Sequence, residues 1–174
     1  TKFTLYHQAD STASERSSEN GISVYDAEIN LLDDYDHDGH YSRFEVTYDA
    51  DDLSGHGLYA YTVVSLVDED GDTHELFTSP TFYIYGDTNS DAQSHMITLL
   101  DNYQPGHYRL RIDLYGACCS DHLDTLITSS EEPIPLEGEY FDSDTYVEET
   151  VVVEHYHDDS GAGGAWGLGG VGAL

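Results

Sequence analysis

Residues 108–115 read YRLRIDLY, and this stretch is the clearest guide to the fold. Its apolar side chains occupy every second position: Tyr108, Leu110, Ile112 and Leu114. A period of two places these side chains on one face of a strand and the polar ones on the other. The stretch therefore predicts a strand with one face in a core and one face in solvent.

Similar segments recur along the chain and are separated by turn signals. The 174 residues include 15 tyrosines, and tyrosine, threonine, valine and isoleucine favour strands. The predicted strands are residues 23–32, 41–49, 58–67, 74–77, 81–85, 94–100, 108–115, 123–128 and 146–157. Many short strands with regular turns predict an all-β fold, an antiparallel β-sandwich of two sheets in an Ig-like or jelly-roll-like arrangement.

The two ends of the chain differ in composition from this part and predict extended terminal segments. Residues 1–20 form an apolar piece and a polar linker, residues 21–158 the sandwich, and residues 159–174 a Gly-rich tail. The N-terminal strand is expected to pair with its own sheet or to reach a neighbouring subunit. The apolar residues predicted to contact another copy of the chain are Phe3, Leu5, Trp166, Leu168 and Val171.

Residues 34–45, DYDHDGHYSRFE, match the calcium-loop pattern D-x-D-x-D-G-x5-E at every fixed position. Calcium takes about six to eight oxygen ligands, and alternate carboxylates around a glycine turn supply them. The predicted ligands are the side chains of Asp34, Asp36 and Asp38, the carbonyl of His40, Ser42 directly or through water, and both oxygens of Glu45. The alternative is an acidic surface turn without a metal.

The flanks of this loop exclude an EF-hand, which requires a helix on each side. Phe44, Val46 and Tyr48 alternate with polar residues, which indicates a strand. A structural calcium ion between strands is therefore predicted, instead of a sensor that opens a helix pair. Glu45 then lies within the strand, where it is the hardest of the ligands to bring to the ion.

Two further acidic segments are weaker metal candidates. The turn VDEDGDTHE at residues 67–75 groups three carboxylates around a glycine: Asp68, Asp70 and Asp72. It is predicted to lie at the same end as the calcium loop, where it completes that site, holds a second ion or forms an ordinary acidic hairpin turn. A second group is predicted at the opposite end: Asp49, Asp51 and Asp52.

The charge balance limits the partners of the chain. Acidic residues number 35 against 5 basic ones, and the formal net charge is −30. Nucleic acid and anionic membrane surfaces are excluded, because both require lysine and arginine. Such self-repulsion opposes a compact state unless cations offset it, which favours a calcium requirement. No apolar run in the sequence is long enough to span a membrane.

The two cysteines, Cys118 and Cys119, are adjacent, which is the wrong spacing for a zinc site. Three alternatives stay open: free thiols, a strained vicinal disulfide, or bonds to another copy of the chain. No His–Asp arrangement favours a catalytic thiol, and no G-x-S-x-G, P-loop or HExxH pattern is present. The sequence therefore predicts a protein that is not an enzyme.

Several stretches together resemble the choice-of-anchor H family: DYDHDGHYSRFEVTYDADD, YAYTVVSLVDEDGD, GHYRLRIDLYGA and the acidic segment before SGAGGAWG. The resemblance covers roughly residues 30–165. It implies secretion and a C-terminal GlyGly sorting signal read by a rhomboid-type protease, and it implies no enzymatic activity. The hydrophobic helix and basic cluster that complete such a signal do not follow the Gly-rich stretch in this sequence.

These observations favour an extracellular structural protein, a calcium-stabilised subunit of a surface filament, sheath or layer. Its partners would be other copies of the same chain, because contacts that do not close on themselves produce fibres. The alternative is a cell-surface adhesin or carbohydrate-binding module, whose tyrosine-rich faces would stack on a glycan.

Overall fold

The structure is a computed structural model that describes residues 2–6, 21–87, 89–100 and 102–143. For residues 2–6 it describes the backbone alone, so the side chains of Phe3 and Leu5 are not assigned contacts. The predicted strand 146–157 and the tail residues Trp166, Leu168 and Val171 lie outside the described residues.

The described chain folds into strands and one short 3-10 turn. The strands are β1 (Lys2–Tyr6), β2 (Ile22–Asp33), β3 (Arg43–Asp52), β4 (Leu58–Val67), β5 (Thr73–Thr78), β6 (Phe82–Ile84), β7 (Gln93–Thr98), β8 (Gly106–Gly116), β9 (His122–Ile127) and β10 (Ile134–Leu136). The 3-10 turn spans Asn89–Asp91. No helix in the described part of the chain has the length and apolar character that crossing a bilayer requires.

The strands form two antiparallel sheets. The first sheet has the order β1-β2-β3-β7, and the second has the order β10-β8-β4-β5, with β6 also paired to β4 and β9 to β8. β1 pairs with β2 of its own chain, from Lys2 opposite Asn30 to Tyr6 opposite Asp26. Of the two placements predicted for the N-terminal strand, the structure therefore shows pairing with the home sheet.

The two sheets pack face to face over one apolar core. Alternate side chains of β3, among them Phe44, Val46 and Tyr48, are buried, and Leu110, Ile112 and Leu114 of β8 face them from the second sheet. Burial of these alternating side chains is the dominant favourable contribution to such a fold. The prediction of an all-β antiparallel sandwich is confirmed.

The predicted strand bounds agree closely with the structure, with one omission. Residues 58–67 form β4 with the same limits, and 108–115 form all but the ends of β8. The omitted strand is β10, which pairs with the start of β8 through Ile134 opposite Tyr108. This short strand matters because it brings the following segment to the end of the sandwich where the 34–42 loop lies.

Candidate metal centre

The loop between β2 and β3 carries the three aspartates of the calcium pattern. Its turns are held by side chains that accept hydrogen bonds from the backbone two residues later: the Asp38 amide donates to Asp36 Oδ1 (3.1 Å) and the His40 amide to Asp38 Oδ1 (2.7 Å). Gly39 has a φ of +98°, a conformation that side chains disfavour, which explains the glycine of the pattern.

A second chain segment, residues 137–142, lies against this loop. The Glu137 amide donates to the Tyr41 carbonyl (3.1 Å), and the Tyr41 amide donates to the Pro135 carbonyl (3.3 Å). The segment is also tied to residues 99–103, because the Gly138 amide donates to the Tyr103 carbonyl (2.8 Å). These bonds carry Glu137 and Asp142 to the acidic loop.

Gly138 permits this close approach of two backbones. A Cβ atom built at this position would lie 2.0 Å from the carbonyl oxygen of Leu100, far inside van der Waals contact. Because the opposing atom belongs to the backbone, a rotamer change cannot relieve the overlap. Glycine at 138 therefore positions the carboxylate of its neighbour, Glu137.

The two segments bring five carboxylates into overlapping groups. Within each group the candidate ligand atoms all lie within 4.8 Å of one another; the groups are Asp34, Asp36 and Asp142, and Asp36, Asp38 and Glu137. Asp36 belongs to both groups and links them. A spacing of this size suits one ion with oxygen ligands at about 2.3–2.6 Å.

Buried oxygens without hydrogen bonds show that the site fits a cation. Asp34 Oδ1 and Glu137 Oε1 are enclosed and have no hydrogen-bond partner among the described residues. Glu137 is 1% exposed. Burying acceptor oxygens without partners costs free energy. A hard cation would remove this cost, because it binds oxygen ligands alone. Oxygen-only donors of this kind favour calcium, magnesium or manganese over softer metals.

Asp142 is the most firmly held of the five carboxylates. Its Oδ1 accepts hydrogen bonds from the amides of Tyr35 and Asp36, and its Oδ2 accepts one from the Ser42 hydroxyl. Asp142 is 4% exposed. The aspartate therefore connects the loop to the following segment even before an ion binds.

The charges of the site act on Glu137. Burial, as the largest cause, and the nearby charges of Asp38, Asp36, Asp142 and Asp34 together raise the pKa of its carboxyl to about 8. Glu137 therefore carries a proton at neutral pH when no cation is present. A bound cation would remove both causes, since it would replace the missing solvation and offset the neighbouring charges.

The residues predicted as ligands divide into two sets. The first set contains the carboxylates that converge, those of Asp34, Asp36 and Asp38. Near them, the Ser42 hydroxyl donates a hydrogen bond to Asp142. The His40 ring nitrogen Nδ1 lies 3.2 Å from both carboxylate oxygens of Asp38. Glu45 belongs to neither group of converging carboxylates. Its Oε1 accepts a hydrogen bond from the Ser94 hydroxyl (2.7 Å) on the outer face of the first sheet.

Glu45 lies on the outer face because of the two-residue period of β3. Phe44 is fully buried in the core, so the next residue, Glu45, faces the opposite side of the sheet. The carboxylates that converge with the loop aspartates are those of Glu137 and Asp142, and the carboxylate of Glu45 is not among them.

The acidic turn after β4 lies at the same end of the sandwich but outside these groups. Asp68 Oδ1 accepts from the Asp72 amide (2.8 Å), and Asp68 Oδ2 lies 2.7 Å from His74 Nε2. The hydrogen bond to His74 lowers the pKa of Asp68. This arrangement is that of an ordinary acidic hairpin turn, and Asp70 and Asp72 join no group of converging ligands among the described residues.

The adjacent cysteines lie in the exposed turn between β8 and β9. Cys118 Sγ and Cys119 Sγ are 2.8 Å apart, and both cysteines are free. The hydrogen bond and the charge of Cys118 raise the pKa of Cys119, which disfavours its reactive thiolate form.

No protein-family model and no curated protein sequence matches the chain, so the resemblance to the choice-of-anchor H family stays a prediction. The chain is similar to several solved structures at low sequence identity, and it spans only a small part of the enzymes among them. A Bacteroides uniformis β-glucuronidase matches 62% of this chain at 12% identity with a TM-score of 0.47, and the match spans 14% of the enzyme. A calcium-binding mutant of Bacteroides uniformis β-glucuronidase 2 matches 62% at 11% identity with a TM-score of 0.46, again over 14% of that chain.

A domain of the outer membrane lipoprotein Omp28 from Porphyromonas gingivalis matches 68% of this chain at 12% identity, with a TM-score of 0.36 and 99% of that domain covered. Similarities at these TM-scores and identities do not indicate a function for this chain. The converging carboxylates of this chain are therefore the observation from which its function is inferred.

Proposed function

We propose that this chain is a calcium-stabilised β-sandwich module of an extracellular structural protein. The observation that carries the proposal is the convergence of five carboxylates from two chain segments, with buried oxygens on Asp34 and Glu137 that have no partner among the described residues. An ion there would clamp the segment after β10 to the loop before β3. Extracellular modules bind calcium at roughly 10⁻⁴–10⁻³ M, which suits a structural ion outside the cell.

The specific form of this proposal is a subunit of a surface filament, sheath or layer. Two features support it. The net charge of −30 would keep copies apart unless divalent ions offset it. Among the described strands, β1 lies at one edge of the first sheet and β7 at the other, and edge strands offer backbone groups to another chain.

Electron microscopy of the full chain with calcium and after EGTA treatment tests this form. We expect regular assemblies in calcium that loosen in EGTA and that magnesium does not restore, because magnesium demands a tighter octahedral arrangement. Dispersed particles under both conditions would contradict the polymer and leave a monomeric calcium module.

A surface of tyrosines favours glycan binding as a second candidate function. On the outer face of the second sheet, the Tyr59 and Tyr83 rings lie 5.0 Å apart, and the Tyr61 and Tyr115 rings stack 5.4 Å apart at 15°. Tyr59 is 64% exposed. Gly57 makes room for the Tyr83 hydroxyl, since a Cβ there would lie 2.0 Å from that oxygen. Flat exposed rings of this kind stack on the apolar faces of sugars.

Replacing Tyr59 by alanine tests the glycan candidate. If neutral oligosaccharides bind, Tyr59→Ala should weaken binding by about tenfold, which corresponds to ~1.4 kcal/mol of lost ring contact. The matched control is Met96→Ala, because Met96 is an exposed residue on the other sheet. A glycan array without any specific binder would exclude this candidate.

A further inference from the structure

The turn between β8 and β9 carries both cysteines of the chain. Backbone hydrogen bonds tie down its two ends: the Gly116 amide donates to the Asp121 carbonyl (2.9 Å), and the Ser120 amide donates to the Gly116 carbonyl (3.0 Å). The Ala117 amide donates to the carbonyl of Tyr59 (2.8 Å) on the neighbouring strand β4. The backbone on each side of the cysteines is therefore held by the second sheet.

This turn holds both thiols on the same side of the backbone. In an extended strand successive side chains point to opposite faces, which would keep two neighbouring thiols apart. Here Cys118 Sγ and Cys119 Sγ lie 2.8 Å from each other. Ser120 follows them with a φ of +57°, a left-handed conformation that residues other than glycine adopt rarely, and it turns the chain back toward β9. The two sulfur atoms therefore meet without any movement of the strands.

Both thiols are open to a reagent in solution, because Cys118 and Cys119 are exposed. Exchange with a disulfide requires a thiolate as the attacking group. The hydrogen bond and the charge of Cys118 raise the pKa of Cys119, so the pair holds one thiolate more readily than two. One thiolate beside one thiol is the arrangement that a two-step exchange requires.

We propose that Cys118 and Cys119 are a reversible redox pair, which closes into a disulfide within one chain when a small-molecule disulfide oxidises it. The thiolate of one cysteine attacks a sulfur of the oxidant, forms a mixed disulfide and expels one small thiolate. The neighbouring cysteine then loses its proton to solvent, attacks the protein sulfur of the mixed disulfide and expels the second small thiolate. The protein loses two protons and two electrons, and the oxidant becomes two thiols.

Closure within the chain is favoured over a bond between two copies. The second thiol is held beside the first, so its effective concentration far exceeds that of a thiol on another chain. The net charge of −30 also keeps copies apart, and Asp121 adds a negative charge next to the turn. An assembly of the kind proposed above would therefore not depend on these cysteines.

The closed pair is readily reduced because its ring is strained. A disulfide between adjacent residues encloses the peptide bond that joins them, which forces its geometry away from the relaxed one. Strained and exposed disulfides are the labile ones in thiol exchange. The turn therefore responds to the thiol–disulfide balance of its surroundings, and it does so without a change in the pairing of β8 with β9.

Intact mass spectrometry of the full chain after incubation with oxidised glutathione tests the pair. The protein is first reduced, freed of reductant and incubated at about pH 8.5, where thiolates form. We expect the wild type to become about 2 Da lighter, to lose both reactive thiols and to stay monomeric on a non-reducing gel. The matched variants Cys118→Ser and Cys119→Ser each keep one cysteine, so each should carry one glutathione instead. An excess of reduced glutathione should restore both thiols of the wild type.

Three results for the wild type would overturn the closure: a glutathione on each cysteine, disulfide-linked dimers, or two thiols that stay unreacted. Dimers would assign the cysteines to contacts between copies. A closed bond that excess reduced glutathione leaves intact would contradict the reversible pair. The reaction involves none of the carboxylates of the metal centre, so its outcome is independent of the proposal for calcium.

Discussion

The calcium-free protein should lose stability as the pH rises from about 4.5 to about 8, and calcium should cancel that loss. In the folded state Glu137 keeps its proton up to a pKa of about 8, whereas in the unfolded chain it loses the proton near its ordinary value of 4.5. The folded state therefore binds more protons in this window, so the free energy of unfolding falls as the pH rises. Asp49, whose pKa is raised to about 6, adds to the fall in the lower part of the window.

Calcium should reverse this dependence because a divalent ion takes the place of the proton. Apparent calcium affinity should rise with pH, since the ion binds the deprotonated carboxylates. At a hundredfold excess over its dissociation constant, one ion stabilises the folded state by about 2.7 kcal/mol. For a domain of this size the melting temperature should then rise by about 5–10 °C.

Thermal unfolding followed by circular dichroism, in EGTA and in calcium at a series of pH values, measures both effects. We expect the calcium-induced rise to be largest near pH 8 and small near pH 5. Magnesium at the same concentration is the control for ionic strength. A calcium-free stability that increases steadily from pH 4.5 to pH 8 would contradict the placement of Glu137 among the acidic side chains.

Much of the fold could be predicted because its information is local. Residues 108–115 show their strand through the two-residue period, and residues 58–67 show theirs through β-branched and aromatic composition, so neither prediction requires knowledge of the partner strand. The aspartates of the loop, Asp34, Asp36 and Asp38, are likewise close in sequence, so the pattern D-x-D-x-D-G finds them. Their convergence in the structure agrees with that prediction.

The rest of the centre could not be predicted because it is assembled from distant segments. Glu137 and Asp142 lie about a hundred residues after the loop and reach it through β10, a strand of three residues that contains a proline and is too short to show a two-residue period in the sequence. The orientation of Glu45, in contrast, follows from the local sequence, which already made it the hardest of the predicted ligands to bring to the ion. Phe44 is a core residue, and the period of two then turns Glu45 away from the loop end toward the outer face.

The second large effect should be a selective loss of the loop ion in Glu137→Gln. Glutamine has the size of the protonated glutamate that the calcium-free site contains, so the variant should fold, and at pH 8 without calcium it should be more stable than the wild type. It lacks the negative charge that the ion requires, and loss of one such carboxylate should weaken calcium binding at the loop by about tenfold or more. Glu45→Gln removes the same charge on the outer face and should leave that binding unchanged within about twofold.

Calorimetric calcium titration of the wild type, Glu137→Gln and Glu45→Gln at about pH 7.5 therefore provides the decisive comparison. We expect the loop site to be lost or strongly weakened in Glu137→Gln and retained in Glu45→Gln. The opposite result is that Glu45→Gln loses the ion while Glu137→Gln binds it as the wild type does. The ligands would then be those of the linear loop, which would contradict the claim that the segment after β10 contributes carboxylates to the site.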